Sequence, residues 1–205
     1  MRIRIRFAKS GALRYIGHLD LHRMWERVTR RAGLSLAYSQ GFHPQPKIQL
    51  AAALPLGFSS RCELVDLWVE GEADLSRLPE SLQANVPPGL NILAVESVDE
   101  KSPPLQTQVV ASEYTISLPD STDQDALAQK VDTILSASSL PRERRGKAYD
   151  LRPLIERLEL AVPNILSMQL SAREGATGRP EEVLDVLGLP FAGAQVERTR
   201  LIFKQ

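Results

Sequence analysis

Two hydrophobic periods alternate along this chain, and their order comes round twice. A period of two residues fits a half-buried strand, and a period of 3.6 fits an amphipathic helix. Residues 2–8 (RIRIRFA) alternate, which predicts a strand with one buried and one basic face. Leu21, Trp25, Val28 and Ala32 then recur at helical spacing, which predicts a helix from about Leu19 to Arg31. Gly17 stands at its N-cap, Asp20 suits the positive end of the helix dipole, and Gly33 stops it. Arg23, Arg27, Arg30 and Arg31 project away from the apolar stripe. Residues 48–54, 62–70 and 90–98 read as strands, and 75–86 (LSRLPESLQANV) as a short helix broken by Pro79.

That order is strand, helix, strand, strand, helix, strand, the split βαβ pattern of a ferredoxin-like fold. It returns further on. Residues 112–118 read as a strand, and 124–137 as a helix with Leu127, Val131 and Ile134 on one face. Residues 164–172 and 195–203 read as strands, and 179–189 as a helix opening on Pro180. Residues 139–160 leave strand and helix both open. The expected fold is therefore α+β: two tandem ferredoxin-like halves with antiparallel sheets, spanning 1–98 and 112–205. Residues 99–111 (DEKSPPLQTQVVA) read as a linker, although VVASEYTISL also allows the next strand to start earlier.

Charge is distributed unevenly. The 25 Lys and Arg balance the 25 Asp and Glu, yet residues 1–50 hold ten basic and two acidic side chains. Residues 51–140 hold four basic and fourteen acidic ones. A neutral chain with so basic an end has a strong dipole, and that end suits a phosphate-rich partner. The acidic middle suits a basic protein surface instead. A single cysteine, Cys62, excludes an internal disulfide and a cysteine metal cluster. No apolar run has the length of a membrane span, and MRIRIRF lacks the continuous apolar stretch of a signal peptide. A cytoplasmic protein is expected.

The stretch Tyr38–Lys47 (YSQGFHPQPK) mixes two aromatics, a glycine, a histidine, two prolines and a lysine. Gly41 permits backbone angles that other residues resist. Pro44 and Pro46 fix their own φ and push His43 and Gln45 toward extended geometry. A stiff arm ahead of a strand is expected. Tyr38 and Phe42 can stack on bases while Lys47 meets a phosphate, as in single-strand RNA recognition. The plain alternative is that Phe42 plugs the core and the prolines pin a turn.

The segments RFAKSGALRYIGHLDLHRMWERVTRRAGL and AYSQGFHPQPKIQLAAALPLGFSSRCELVDL resemble the radical-SAM-linked domain family. RRGKAYDLRPLI, GRPEEVLDVLGL and ERTR carry the resemblance through the second half. Members are found fused to the end of a radical SAM protein or encoded near one. The family pattern has serine where this chain has Gly17, and commonly asparagine where it has His43. The second departure argues against His43 as a required catalyst. A radical SAM core needs three closely spaced cysteines to hold its iron–sulfur cluster, and this chain has only Cys62. It is expected to be the partner of such an enzyme. The resemblance implies a role around RNA or ribosome-linked modification.

Three functions follow. The first is a non-catalytic adaptor that binds tRNA or rRNA and presents it to the radical SAM protein. Its expected RNA contacts are Lys9, Arg14, Arg23, Tyr38, Phe42, His43, Lys47, Arg144, Arg145, Lys147 and Arg152. The last four lie in RERRGKAYDLR, where a central glycine suggests a mobile basic loop or a solvated hairpin. The second is a metal-independent endoribonuclease. His18 beside Asp20 would move protons, with Lys9 or Arg14 in support. It rests on the fold-level analogy of CRISPR repeat-processing enzymes, which share tandem ferredoxin-like folds. The third is a pure protein-interaction module. His18 and His22 have the i, i+4 spacing of metal ligands, but Leu19 stands where a zinc peptidase helix has glutamate. No metal and no cofactor is expected.

Overall fold

In a computed structural model, which describes residues 1–161, 164–190 and 194–204, the alternating first stretch forms strand β1 (Arg2–Lys9). Ile3, Ile5 and Phe7 are fully buried on one face. The other face is not the solvated basic surface that alternation implies. Arg2 is 1% exposed and Arg4 half-buried, and only Arg6 of the three is open. The cause is a carboxylate on the neighbouring strand, described below.

After a turn of 3-10 helix, α1 runs His18–Arg31. Leu21, Trp25 and Val28 are buried, and the Trp25 ring meets Phe7 edge-on at 5.0 Å between centroids. The Thr29 hydroxyl turns back to the Trp25 carbonyl at 2.9 Å. Gly33, at φ +75°, reverses the chain after the helix. Strand β2 (Ile48–Leu50) is shorter than the apolar run suggests. The Ala51 N–H still donates to the Leu64 carbonyl at 3.0 Å, and Pro55 further on has no N–H to give a sheet. Then come β3 (Ser59–Trp68), α2 (Leu78–Gln83) and β4 (Leu90–Val98). Pro79 does not break its helix. It stands in the first turn of α2, where a missing N–H costs no bond.

In this first unit β1 lies between β3 and β4, and β2 adds to the other edge of β3, all antiparallel. The spatial order is β4-β1-β3-β2. Residues 99–104, expected as free linker, are tied down. Arg2 donates to the Ser102 carbonyl at 2.6 Å and to that of Pro103 at 3.1 Å. The short helix α3 (Leu105–Gln108) then ends the unit, with Leu105 buried. The chain divides into units Met1–Gln108 and Val109–Gln205.

The second unit opens directly on β5 (Val109–Ser117), so 109–111 are strand rather than linker. Asp123 caps α4 (Gln124–Ser136) by accepting from the Ala126 N–H at 3.0 Å. The ambiguous stretch resolves into a hairpin, β6 (Pro141–Arg144) and β7 (Lys147–Asp150), followed by β8 (Ile155–Ala161). Next come β9 (Ile165–Arg173), β10 (Ala176–Thr177), α5 (Pro180–Leu187) and β11 (Gln195–Phe203). β5 lies between β9 and β11, while β8 and β10 share the far edge of β9, again all antiparallel. The fold is α+β with antiparallel pairing throughout these strands.

Candidate nucleic-acid interface

The 37–47 segment is a closed, hydrogen-bonded loop. The Ala37 N–H donates to the Trp68 carbonyl at 2.7 Å, and the Lys47 N–H donates to the Ala37 carbonyl at 2.8 Å. Further out, the Ser39 N–H reaches the Gln45 carbonyl at 2.8 Å, and the Ser39 hydroxyl accepts from the Gln45 N–H at 3.0 Å. Tyr38 and Pro46 form a bridge between these rungs. Residues 40–44 make the tip, where Gly41 adopts φ +127°. Phe42 stands at that tip with 101% relative exposure, so it does not plug the core. His43 and Lys47 are exposed beside it in sequence, and Tyr38 is 47% exposed at the base. A rigid frame thus holds an aromatic ring wholly in solvent.

α1 carries the second group of candidates. His18 and Asp20 do not pair with each other. Asp20 faces Arg23 at 3.5 Å. Partial burial, and then the neighbouring His22, lower the pKa of His18, while Glu63 opposes them. Its imidazole is therefore mostly neutral at pH 7. Tyr15 and Leu19 flank it with 66% and 72% exposure, a pair of open apolar side chains that sequence reading passed over. Leu19 lies off the apolar stripe of α1, which was the available signal. Arg14 is half-buried, with its guanidinium 5.5 Å from the Tyr15 ring. Lys9 is 1% exposed, so it offers no ammonium to a phosphate in solution.

Cavities border α1 on both sides. One, of about 340 Å³, brings Tyr38 and Arg30 together with Glu26 and Glu70. The other, of about 440 Å³, runs between Arg23, Arg27 and Arg31 and the 84–87 turn.

The remaining candidates lie in the second unit. Arg144 is committed to the fold. Its guanidinium binds both carboxylate oxygens of Glu182, donates to the Thr177 carbonyl at 3.1 Å and lies 4.7 Å over the Tyr149 ring. The bond to Glu182 raises the Arg144 pKa, and burial raises that of the Tyr149 hydroxyl. Arg142 pairs with Asp185. Arg152 donates to the Leu135 carbonyl at 2.9 Å and to that of Ile155 at 3.1 Å, closing the end of α4. Only Arg145 and Lys147, at the hairpin tip, are exposed. The basic loop of the sequence is thus a hairpin pinned through its first strand.

Among the described residues no group of three or more His, Cys, Asp or Glu could hold a metal ion. No helix among them is long and apolar enough to cross a membrane.

No curated protein matches the chain. Solved structures do. A chain of a Cbf5–Nop10–Gar1 complex superposes with a TM-score of 0.53 at 12% identity, over 97% of this chain and 48% of that one. A chain of the archaeal box H/ACA sRNP Nop10–Cbf5 complex gives a TM-score of 0.48 at 14% identity, over 99% and 49%. A chain of an H/ACA RNP bound to a substrate RNA gives 0.48 at 12% identity, over 97% and 47%. This chain spans about half the length of each, and the first likeness is one of fold. A family model matches residues 2–180, and the chain belongs to that family, described as an uncharacterized protein conserved in bacteria (DUF2344).

Proposed function

We propose that this protein is a non-catalytic accessory protein of a radical SAM enzyme, which binds tRNA or rRNA and presents it for modification in the cytoplasm. We also read each unit as a ferredoxin-like half. In support, the first unit has strand order β4-β1-β3-β2, and the second has β11-β5-β9-β8. The observation that carries the RNA reading is Phe42, a fully exposed ring on a hydrogen-bonded loop. Burying that ring against a base would recover a hydrophobic contribution that the free protein forgoes, and base–aromatic stacking tolerates any sequence. On the first unit the proposed RNA contact also takes in Tyr38, His43 and Lys47 of the same loop and Arg14 and Arg23 near α1; on the second unit, taken by itself, it takes in Arg145 and Lys147 of the hairpin. Lys9, Arg144 and Arg152 play no part in it, since burial or internal partners occupy them. In this reading the radical chemistry belongs to the partner enzyme, because these residues hold a single cysteine.

The test is fluorescence anisotropy with bulk tRNA and short rRNA fragments across a salt series. Micromolar or tighter binding that weakens steeply with salt is expected, and Phe42→Ala should weaken it by about 1–3 kcal/mol, the range for loss of one stacked base. The RNA should stay intact in EDTA. Cleavage abolished by His18→Ala would instead establish the endoribonuclease, for which a neutral His18 is a suitable base. No binding at low salt, with recovery of a radical SAM protein in pull-downs, would establish a pure protein-interaction module.

A further inference from the structure

An RNA strand on the first unit needs a course for its backbone as well as a ring for its bases. We propose that the groove between α1 and the 84–87 turn is a phosphate track for a single RNA strand. Arg23, Arg27 and Arg31 would each take one of three successive phosphates. This inference rests on the RNA reading of the exposed loop.

Spacing is the first argument. The three arginines are four residues apart, so they rise about 6 Å from one to the next along the helix. That step is on the order of the separation between neighbouring phosphates in a strand. Charge is the second. All three are exposed, and none of the described residues pairs with Arg27 or Arg31. Among the described residues that line the groove the one acid is Asp20, whose contact with Arg23 is long, at 3.5 Å, and open to water. The other side of the helix differs: there Arg30 shares its cavity with Glu26 and Glu70. Like charges one turn apart on a helix repel each other. A helix that keeps Arg27 and Arg31 cationic with no carboxylate partner, and Arg23 with only a long one, is stabilised when an anion chain lies along it.

Shape is the third argument. Met24, Val28, Val86 and Pro87 form the apolar floor and far wall of the groove. A low-dielectric wall strengthens the field of the arginines toward the open side. An acidic peptide would satisfy the charge, but it has no bases to stack.

The experiment is anisotropy of a labelled, unstructured 12-nucleotide RNA with three proteins over a salt series. They are the wild type, the triple variant R23Q/R27Q/R31Q and F42A. Glutamine is a good helix former and all three positions are exposed, so α1 is retained, which circular dichroism checks. Each lost phosphate contact lowers the slope of log K against log salt by about 0.7 for a single strand, so the triple variant should lose about 2. Its affinity at low salt should fall at least tenfold. F42A should lose affinity with the slope unchanged. A wild type that binds, with the same slope in the triple variant, would overturn the track and leave the RNA reading standing. A wild type that binds no RNA would overturn both. Equal binding of an oligoglutamate would overturn the track in favour of an acidic protein partner.

Discussion

Asp66 accounts for much of the apparent basicity of the first strand. It is fully buried and accepts four hydrogen bonds, two from Arg2 and two from Arg4. Arg2 also lies 4.7 Å over the Trp68 ring. Removing one partner from a buried charge cluster strands the others. Asp66→Ala should therefore cost about 3–5 kcal/mol of stability, read from the urea midpoint. Removing one of the two stranded cations as well, with Arg2→Met in the same chain, should recover part of that loss. None of this was legible in RIRIRFA alone. Alternation places Arg2 and Arg4 on one face, but only the β1–β3 register, which sets Arg4 opposite Asp66, decides that the face is dry. The reverse held for Phe42. Its apolar character made a core position the plain alternative, and the rungs that hold it outward join residues on either side of Gly41 in ways no period records. The His18–Asp20 pairing failed for a local reason, since Arg23 is one turn along from Asp20 and competes for it.

At the scale of elements, those with a strong period were the legible ones. α1 and α4 have apolar stripes with a cap at the start, and β1, β3 and β9 alternate. The β6–β7 hairpin was legible only as one of two alternatives, a mobile loop being the other, because its strands are charged on both faces. Its partners, Glu182 and Asp185, stand on α5 about forty residues away. Tight junctions were equally hidden. Gly89, at φ +93°, accepts from the Ser10 N–H at 2.8 Å, and a Cβ there would lie 2.5 Å from the Ser10 carbonyl oxygen. Gly71, at φ +71°, has open space around it. Gly89→Ala should therefore cost more than Gly71→Ala. About 1 kcal/mol is expected for φ strain alone at Gly71 and about 2–3 kcal/mol at Gly89, where strain and collision add. Paired denaturation curves decide it; equal losses would mean that Ser10 moves aside freely.

For the whole molecule, formal net charge is zero and the isoelectric point is about 6.9. A protein of that kind is usually indifferent to polyanions above neutral pH. The surface arginines of α1 predict otherwise, because short-range fields at a groove outweigh a distant net charge once salt screens the remainder. At pH 8 the protein should bind heparin at about 50 mM salt and elute by about 200 mM. Flow-through at the lower salt would show that the acidic residues of 51–140 cancel the patch. Fold class was legible from the order of periods. The binding surface was legible only in part, since sequence cannot tell a free arginine from one already held by a carboxylate.

The hairpin tip has a different implication. Arg145 and Gly146 both take positive φ, the geometry of a tight two-residue turn, and neither packs into the unit. Opening the chain between them would leave one piece ending after β6 and another beginning at β7. The β5–β9 and β5–β11 ladders would still join the two pieces. That turn is a seam, at which two separately expressed halves of the polypeptide can be reunited and their reunion used to report assembly inside a cell.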